Sequence, residues 1–434
     1  MRKLLIALFA LGLIFAFTAP AYATDASFSG YMRVRGFGDY NRGLAEDTTG
    51  AENTNMNDWY DQRLRLQTVF KVAEGLSITT RAHILDRVVG TVETGNVTNT
   101  NTLATHANNI YFHRAYMTFK TGIGKFDLGY MSGGTFGTVF GDTEADGRWR
   151  IKYTGVFGPW IVLALTEHMA EKDYVPVAGR NVEDNDYDTL ALAGIYKWDG
   201  GQAGFLQYFL WNRMGRTTSA VDENENSTSQ RFISIPYMKA NFGALYLEAE
   251  VIYQFGSAKE YEAAGTNQDV DFKGLSYYVN GKFNMGPAYV GAIYAYVEGE
   301  DPNSTDLEAG YPGSDWNPCL ILFNDDIGNR GTYNGTGAGL TNGSLVQVNA
   351  GFTPMEKLNL FASITYAWAD YTASGVDDEI GTEFDVEATY KIFDNLEYWV
   401  GFGYLKAGDW FRGTDSTFQT DDAYLIMHKI QMNF

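Results

Sequence analysis

The chain ends with AYLIMHKIQMNF, residues 423–434, and this stretch decides the fold. In a β-strand, successive side chains point to opposite faces. One face of the stretch is largely apolar and carries Tyr424, Ile426, His428, Ile430, Met432 and Phe434. The opposite face becomes polar along the strand and carries Leu425, Met427, Lys429, Gln431 and Asn433. The pattern predicts a terminal strand with one apolar face and one face that is polar at its end.

The same alternation recurs along the chain. Five further segments alternate between apolar and polar residues, at positions 63–72, 245–255, 275–283, 358–368 and 384–392. This two-residue period, with turn residues between segments, is typical of a transmembrane barrel, although a soluble sandwich also alternates. Aromatic residues stand near several strand ends, at Tyr253, Tyr366, Trp368, Tyr390 and Tyr404. Barrels place such residues at the membrane interfaces, so the pattern favours a barrel.

The first 23 residues have the organisation of a cleaved export signal. Arg2 and Lys3 precede an apolar run from Leu4 to Phe17, and Ala21-Tyr22-Ala23 has the small residues of a cleavage site. The run is shorter than the ~20 residues that span a bilayer, which disfavours a retained anchor. We therefore expect a signal peptide at residues 1–23 and a single barrel domain at residues 24–434.

Composition narrows the function classes. The formal charge is −21, and removing Arg2 and Lys3 with the signal lowers it to −23. Nucleic acid is therefore not expected as a partner, because its phosphates attract basic surfaces. No long apolar segment follows the signal, so membrane residence requires a closed barrel, in which every backbone polar group finds a partner. The single cysteine, Cys319, cannot form an internal disulfide.

Short and long connections alternate between the predicted strands. Eight short links lie near residues 73–75, 122–124, 157–159, 199–201, 241–243, 285–287, 353–355 and 393–395. Nine longer, polar and mostly acidic stretches lie between them, the longest at residues 299–343. Seventeen connections predict an all-β, antiparallel barrel of 18 strands, with both ends on one side. The weak alternation near Trp160 and Gly201 leaves 16 strands as the alternative.

The whole predicted barrel resembles the Gram-negative outer-membrane porins, in which a terminal aromatic residue such as Phe434 belongs to the assembly signal. The resemblance implies a cell outer membrane location, contact with lipid and lipopolysaccharide, insertion by the barrel-assembly machinery and a homotrimer. It also implies short turns on the periplasmic side and long loops outside the cell. We therefore expect the segment 299–343, with Cys319, to lie outside as the longest loop.

A cluster of arginines lies on one face of the first four predicted strands. Its members are Arg33, Arg35, Arg63, Arg65, Arg81 and Arg114. Arginines on neighbouring strands repel one another, so water or acidic partners must offset their charge. The resemblance implies that the loop after the fifth strand, residues 131–147, folds inward and forms a constriction. Its carboxylates Asp142, Glu144 and Asp146 would then face the arginines across the opening, unless the loop stays outside and the arginines are only solvated lining.

The remaining motifs are weak. Asp184, Asp186 and Asp188 could hold a hard cation but lack the full calcium-loop spacing, and the five histidines lack metal-ligand spacing. No G-x-S-x-G motif is present, so no catalytic triad, cofactor or metal is assigned. The resemblance implies a water-filled channel for passive diffusion of small hydrophilic solutes and ions. The alternatives are a substrate-selective channel, a barrel that sheathes a partner such as an electron-transfer cytochrome, and a surface adhesin.

Overall fold

A computed structural model of the chain describes residues 25–41, 43–44, 56–89, 109–141, 147–171, 185–216, 226–262, 267–310, 316–324 and 339–434. The predicted signal peptide, residues 1–23, lies outside this set. So do the three acidic residues predicted for the constriction, Asp142, Glu144 and Asp146.

Eighteen antiparallel strands form one closed sheet, which confirms the predicted fold class and strand number. They are β1 (Asp25–Tyr40), β2 (Met56–Ala73), β3 (Leu76–Val88), β4 (Ile110–Thr121), β5 (Gly124–Met131), β6 (Arg148–Phe157), β7 (Trp160–Ala170), β8 (Tyr187–Trp198), β9 (Gly201–Asn212), β10 (Ser227–Phe242), β11 (Leu245–Tyr261), β12 (Val270–Met285), β13 (Ala288–Val297), β14 (Gly343–Met355), β15 (Leu358–Ala369), β16 (Glu379–Phe393), β17 (Leu396–Ala407) and β18 (Ala423–Asn433). A 3-10 turn at Asp409–Arg412 follows β17. Within the described ranges, no helix is long and apolar enough to cross a membrane.

The connections alternate as the sequence predicts. All eight short links are tight turns, including the two near Trp160 and Gly201, so the 16-strand alternative is wrong. Glycines with positive φ form several of these turns, for example Gly158 at 59° and Gly200 at 88°, a conformation that costs glycine little. The nine longer connections all leave the opposite end of the barrel, and we number them L1 to L9 in chain order.

The barrel closes where β1 pairs with β18. The register runs from Tyr31 opposite Asn433 to Tyr40 opposite Tyr424. Beyond the strand, Phe434 and Gly30 exchange two backbone hydrogen bonds, with N···O distances of 2.9 Å and 3.1 Å. Closure leaves neither strand with a free edge, which is the condition for placing a sheet in lipid.

The outward face of the barrel is apolar. Side chains such as Val279, Val348, Val386 and Ile426 point outward and are 45%, 54%, 58% and 48% exposed. A monomeric soluble protein rarely exposes a contiguous apolar surface of more than a few hundred Å². The continuous outer belt over many strands therefore suits contact with lipid.

Aromatic rings flank this belt at both ends. Near the long loops, ring contacts join Trp211, Phe209, Phe232, Phe255 and Tyr253 across three strands. A second group near the same end contains Tyr277, Tyr294, Tyr366 and Trp368. At the short-turn end, Phe119, Phe126 and Tyr153 form one group, and Trp160, Tyr196 and Trp198 form another. These positions match the two interfacial girdles of membrane barrels.

The contacts of Phe434 generate a test of barrel closure. Deleting Phe434 removes both backbone hydrogen bonds to Gly30, so we expect the free energy of unfolding in detergent to fall by about 1–3 kcal/mol. The midpoint of urea unfolding, followed by tryptophan fluorescence, measures this change. Phe434→Tyr keeps the backbone and the ring and should unfold like the parent. Equal midpoints for the deletion and the parent would contradict the closing role of Phe434.

Candidate functional site: the barrel interior

The arginines predicted to line the interior share its wall. Strand register places Arg33 opposite Arg63, Tyr31 opposite Arg65, and Arg81 opposite Arg114, so the arginines form one basic face on β1 to β4. All are half-buried except Arg35, which is 4% exposed. The Arg35 guanidinium is therefore too buried to offer a contact surface to the interior.

Acidic groups on the wall itself partner two of these arginines. Arg35 forms a two-pronged ion pair with Asp61, with N···O distances of 2.8 Å and 3.1 Å. Arg63 Nε lies 2.8 Å from Asp86 Oδ2. The sequence pointed to the loop carboxylates Asp142, Glu144 and Asp146 as partners, and these lie outside the described residues. The wall pairs were missed because the alternation pattern gives the face of a residue but not its cross-strand neighbour.

A hydrogen-bonded chain fixes the orientation of a third arginine. Arg65 Nε donates to His83 Nε2 at 2.9 Å, so the proton of the neutral imidazole lies on Nδ1. His83 Nδ1 is 2.7 Å from the Tyr111 hydroxyl, which donates to Asp86 Oδ2 at 3.1 Å. Arg81 donates to the Gln67 side-chain oxygen at 2.8 Å. Neutral side chains thus hold Arg65 and Arg81 in place.

The basic face extends further around the barrel than the sequence indicated. On β6, Arg150 is buried and pairs with Glu167, which also accepts a hydrogen bond from Arg148 at 3.0 Å. Lys152 Nζ donates to the Gly133 carbonyl oxygen at 2.6 Å. Lys152 thus holds the first residues of L3, the connection between β5 and β6, against the wall. The period-two pattern on β6 could have identified these cations.

The described part of L3, residues 132–141, lies inside the barrel. Its Thr138 N–H donates to the carboxylate of Glu250, an inward-facing residue of β11 that is 1% exposed. Glycine permits this close approach, because a Cβ at Gly137, where φ is 80°, or at Gly141 would overlap the Glu250 carboxylate. L3 therefore crosses the interior from the basic face to the far wall.

Aromatic packing completes the anchorage of L3. Phe136 packs edge-on against Tyr237 with ring centroids 4.9 Å apart. Phe140 is fully buried, stacks on Tyr278 of β12 at 5.4 Å and meets Trp316 edge-on at 5.2 Å. Trp316 belongs to L7, the connection between β13 and β14. The two loops therefore contact each other inside the barrel.

Residues 316–324 of L7 fold inward, contrary to the expectation that the whole segment 299–343 lies outside. Trp316 and residues 319–324 are buried against the inner wall, and Cys319 is 4% exposed. The backbone N–H groups of Ile321 and Leu322 each donate to one carboxylate oxygen of Glu383, both at 2.6 Å. The alternation pattern assigned Glu383 to the polar face of β16 but carried no signal that it would bind a loop.

Glycines on the wall make room for L7. A Cβ at Gly401 would lie 3.0 Å from Leu320 Cδ1, and one at Gly403 would lie 3.2 Å from Leu320 Cβ. Gln347 Nε2 adds a hydrogen bond to the Pro318 carbonyl oxygen at 2.7 Å. The acceptors on the wall satisfy loop backbone groups that would otherwise be buried without partners.

The space between L7 and the basic face is a cavity of about 260 Å³. Arg33, Arg35 and Lys429 line one side, and the L7 residues Asn317, Pro318, Cys319, Leu320 and Asn324 line the other. Trp399 and Glu387 also line it, and the Trp399 indole N–H donates to the Glu387 carboxylate at 2.8 Å. The cavity thus combines three cations with one aromatic surface and one carboxylate.

Comparison with solved structures identifies the architecture. Pseudomonas aeruginosa OccK9 (OpdG) matches with a TM-score of 0.55 at 14% sequence identity, over 94% of this chain and 99% of that one. The outer-membrane protein OpdK of the same organism matches with a TM-score of 0.53 at 11% identity over the same shares. The chain has the outer-membrane porin fold.

A third solved structure agrees with this assignment. A BenF-like porin from Pseudomonas fluorescens Pf-5 matches with a TM-score of 0.52 at 11% identity, over 94% of this chain and 99% of that one. No protein-family profile matches the chain, and no curated protein matches its sequence. The similarity thus lies in the porin fold.

The anchorage of L3 can be tested at Glu250. Glu250→Ala removes the acceptor of the Thr138 N–H, and hydrogen bonds to charged groups contribute about 1.5–3 kcal/mol. We expect the opening free energy of the segment 132–141 to fall by about that amount, measured by hydrogen–deuterium exchange. Glu248→Gln is the matched control, because Glu248 lies on the same strand and contacts wall residues only. Unchanged exchange in Glu250→Ala would mean that the carboxylate does not hold L3.

The reactivity of Cys319 measures how firmly L7 is held against the wall. Burial raises the pKa of the Cys319 thiol, so at neutral pH both access and thiolate formation limit its reaction with a thiol reagent. Glu383→Gln replaces one acceptor oxygen by an NH₂ group that opposes a loop N–H, which should loosen L7. We expect the rate of thiol modification to rise about tenfold or more, consistent with a loss of ~1.5–3 kcal/mol.

The control for this measurement is Glu387→Gln, which changes the next inward-facing carboxylate of β16. Glu387 bonds Trp399 on the wall rather than the L7 backbone. Its replacement should leave the thiol rate within about twofold of the parent, a change of less than ~0.5 kcal/mol. Fast modification of the parent protein would contradict the buried position of Cys319.

Proposed function

We propose that the protein is a channel of the Gram-negative outer membrane that passes small hydrophilic solutes and selects among them by charge. One observation carries the proposal: L3 and L7 occupy the interior beside β10 to β12 and β14 to β17, whereas the arginines stand on β1 to β4. A solute that crosses the barrel therefore passes along the arginine face.

The charges beside this path favour anions. The buried carboxylates of Glu250 and Glu383 are directed at loop N–H groups, so they oppose the arginines less than free carboxylates would. On the basic face, Asp61 and Asp86 offset Arg35 and Arg63. Arg65 donates to a neutral partner, His83. Anion-selective pores use rings of cationic side chains to discriminate anions from cations.

This selectivity goes beyond general diffusion, and the chemistry of the cavity suggests the class of solute. Arg33 and Lys429 can attract a carboxylate, while Trp399 offers an aromatic surface. OpdK, one of the proteins that share the fold, has been solved with vanillate, a small aromatic carboxylate. We propose small organic anions as preferred solutes. The loops inside the barrel disfavour a sheath for a large partner, because they occupy the volume that the partner would need.

The cellular context follows from the same proposal. The apolar outer belt and the aromatic girdles suit a membrane, and residues 1–23 have the pattern of an export signal. We further propose insertion by the barrel-assembly machinery, assembly as a homotrimer, and contact of the outer loops with lipopolysaccharide. The two inward loops, including residues 131–147, would form the constriction.

Ion selectivity in planar bilayers tests the proposed function. We expect steady conductance steps and a reversal potential that indicates anion preference at 1 M salt, where the Debye length is ~3 Å and charges at the mouth are screened. At ~0.01 M salt the acidic surface should raise the cation concentration at the mouth, so the anion preference should weaken. Arg65→Gln combined with Arg81→Gln should lower the anion-to-cation permeability ratio at high salt by about twofold or more.

A charge-matched control distinguishes the effect of interior charges on selectivity from the effect of surface charges. Lys197→Gln with Lys357→Gln removes two exposed cations near the short-turn end and should leave selectivity at 1 M salt unchanged. Conductance that is absent or erratic in the parent protein would refute the channel. Steady conductance without anion preference would refute only the selectivity assigned to the arginines.

A further inference from the structure

A buried cluster joins L7 to the wall in a way that the channel function does not use. Cys319 of L7 lies beside Glu383 and Asp385 of β16, and each side chain offers one ligand atom within 4.8 Å of the other two. All three residues are at most 4% exposed. The sequence predicted no metal site, because a cysteine more than sixty positions from two alternate residues of a strand shows no ligand spacing.

The two carboxylates create an electrostatic problem. Glu383 accepts two backbone N–H groups, an arrangement that favours its ionised form. Asp385 lies on the same face of the same strand, and like charges at this separation disfavour ionisation of both groups. Across the described part of the chain, neither residue forms an ion pair with lysine, arginine or histidine. Either a shared proton or a bound cation must relieve the repulsion.

The surroundings of one Asp385 oxygen favour a bound cation. Asp385 Oδ2 accepts a hydrogen bond from Ser363 at 3.2 Å, but the buried Oδ1 has no hydrogen-bond partner. Oδ1 faces the gap between wall and loop, since a Cβ at Gly403 would lie 3.0 Å from it and 3.2 Å from Leu320 Cβ. The Glu383 carboxyl group and the Leu320 backbone N–H are neighbours of Asp385, yet Oδ1 itself forms no hydrogen bond of normal geometry. A carboxylate oxygen buried in this way is costly unless a ligand compensates it.

Neighbouring groups orient the sulfur. Cys319 Sγ lies 3.4 Å from Thr365 Oγ1, which accepts a hydrogen bond from Gln347 Nε2 at 3.0 Å. The same Gln347 amide bonds the Pro318 carbonyl oxygen and so positions the residue before the cysteine. Such outer contacts fix ligand orientation in metal sites. Cys319 also lines the 260 Å³ cavity, which offers a path for an ion from the interior.

We propose that Cys319, Glu383 and Asp385 bind a divalent cation of the thiophilic, Zn²⁺-like class. One thiolate and two carboxylates are three of the four ligands in a tetrahedral zinc site, and water from the cavity supplies the fourth. Tetrahedral Zn–S bonds of ~2.3 Å and Zn–O bonds of ~2.0 Å place ligand atoms ~3.5 Å apart, so the triad closes slightly around the ion. A sulfur ligand disfavours Ca²⁺ and Mg²⁺, which select oxygen.

The ion would link L7 to the wall. Cys319 is a loop residue, whereas both carboxylates belong to β16, so binding adds bonds between the loop and the barrel that Glu383 alone does not provide. The consequence is a stabilised inward position of L7 when the ion is present. Cation binding at this cluster is independent of the solute that the channel passes.

Cd²⁺ is the probe, because its bond to a thiolate produces an ultraviolet charge-transfer absorption that carboxylates do not give. The full chain, purified in detergent and stripped with a chelator, is titrated with Cd²⁺ and, by competition, with Zn²⁺. We expect one ion per chain, the thiolate absorption, and an excess of Ca²⁺ that does not displace Zn²⁺. Cys319→Ser should abolish the absorption, and Cys319→Ser and Asp385→Asn should each weaken Zn²⁺ binding by about tenfold or more.

Controls make each outcome decisive. Glu387→Gln, which alters the neighbouring carboxylate outside the triad, should bind Zn²⁺ like the parent. Parent protein that binds no Zn²⁺, or binds Cd²⁺ without the thiolate absorption, would overturn the proposal in favour of a shared proton. Equal Zn²⁺ affinity in the parent and in Cys319→Ser would place the ion elsewhere and overturn it too. If Asp385→Asn does not fold, the parent and Cys319→Ser decide the question.

Discussion

Two buried glutamates, each accepting backbone N–H groups from a loop, are the interaction on which the interior depends. A barrel of 18 strands is too wide for its own wall side chains to fill. Loops that enter it must bury peptide groups, and each buried N–H requires an acceptor. Glu250 supplies one to L3 and Glu383 supplies two to L7. Removing either carboxylate should therefore change the shape of the interior while leaving the backbone ladder of the barrel intact.

This arrangement also separates the charges of the interior. Glu250 and Glu383 on the far wall face loop backbone, and most of the arginines on β1 to β4 face the remaining space. Arginine suits this wall because its guanidinium remains charged in any relevant environment and still binds carboxylates in a two-pronged geometry. Arg35 is buried in an ion pair with Asp61, because a buried charge without a partner would be unfavourable. The proposed solute path is therefore polar, with one dominant sign of charge.

The contact between the loops makes them one unit. Phe140 of L3 and Trp316 of L7 meet over Tyr278, and all three rings are buried. A change that releases one loop removes a packing surface of the other. Residues in contact of this kind do not respond additively to mutation. Combined variants at Glu250 and Glu383 should therefore differ from the sum of the single variants.

The sequence by itself determined the barrel. Alternation with a period of two, tight turns and long polar connections predicted 18 strands, because the side-chain period of a strand is a local property of the backbone. The same period placed the arginines on one face. It did not pair Arg35 with Asp61 or Arg63 with Asp86, because those contacts depend on register across strands.

Only the tertiary structure decided the contents of the barrel. L7 reads as a polar, proline-containing outer loop, yet Cys319 and its neighbours lie against β14 to β17. Their burial depends on Glu383, Gln347, Gly401 and Gly403, which are distant in sequence. No local pattern encodes such contacts, because a loop folds inward only where the assembled wall offers acceptors and space.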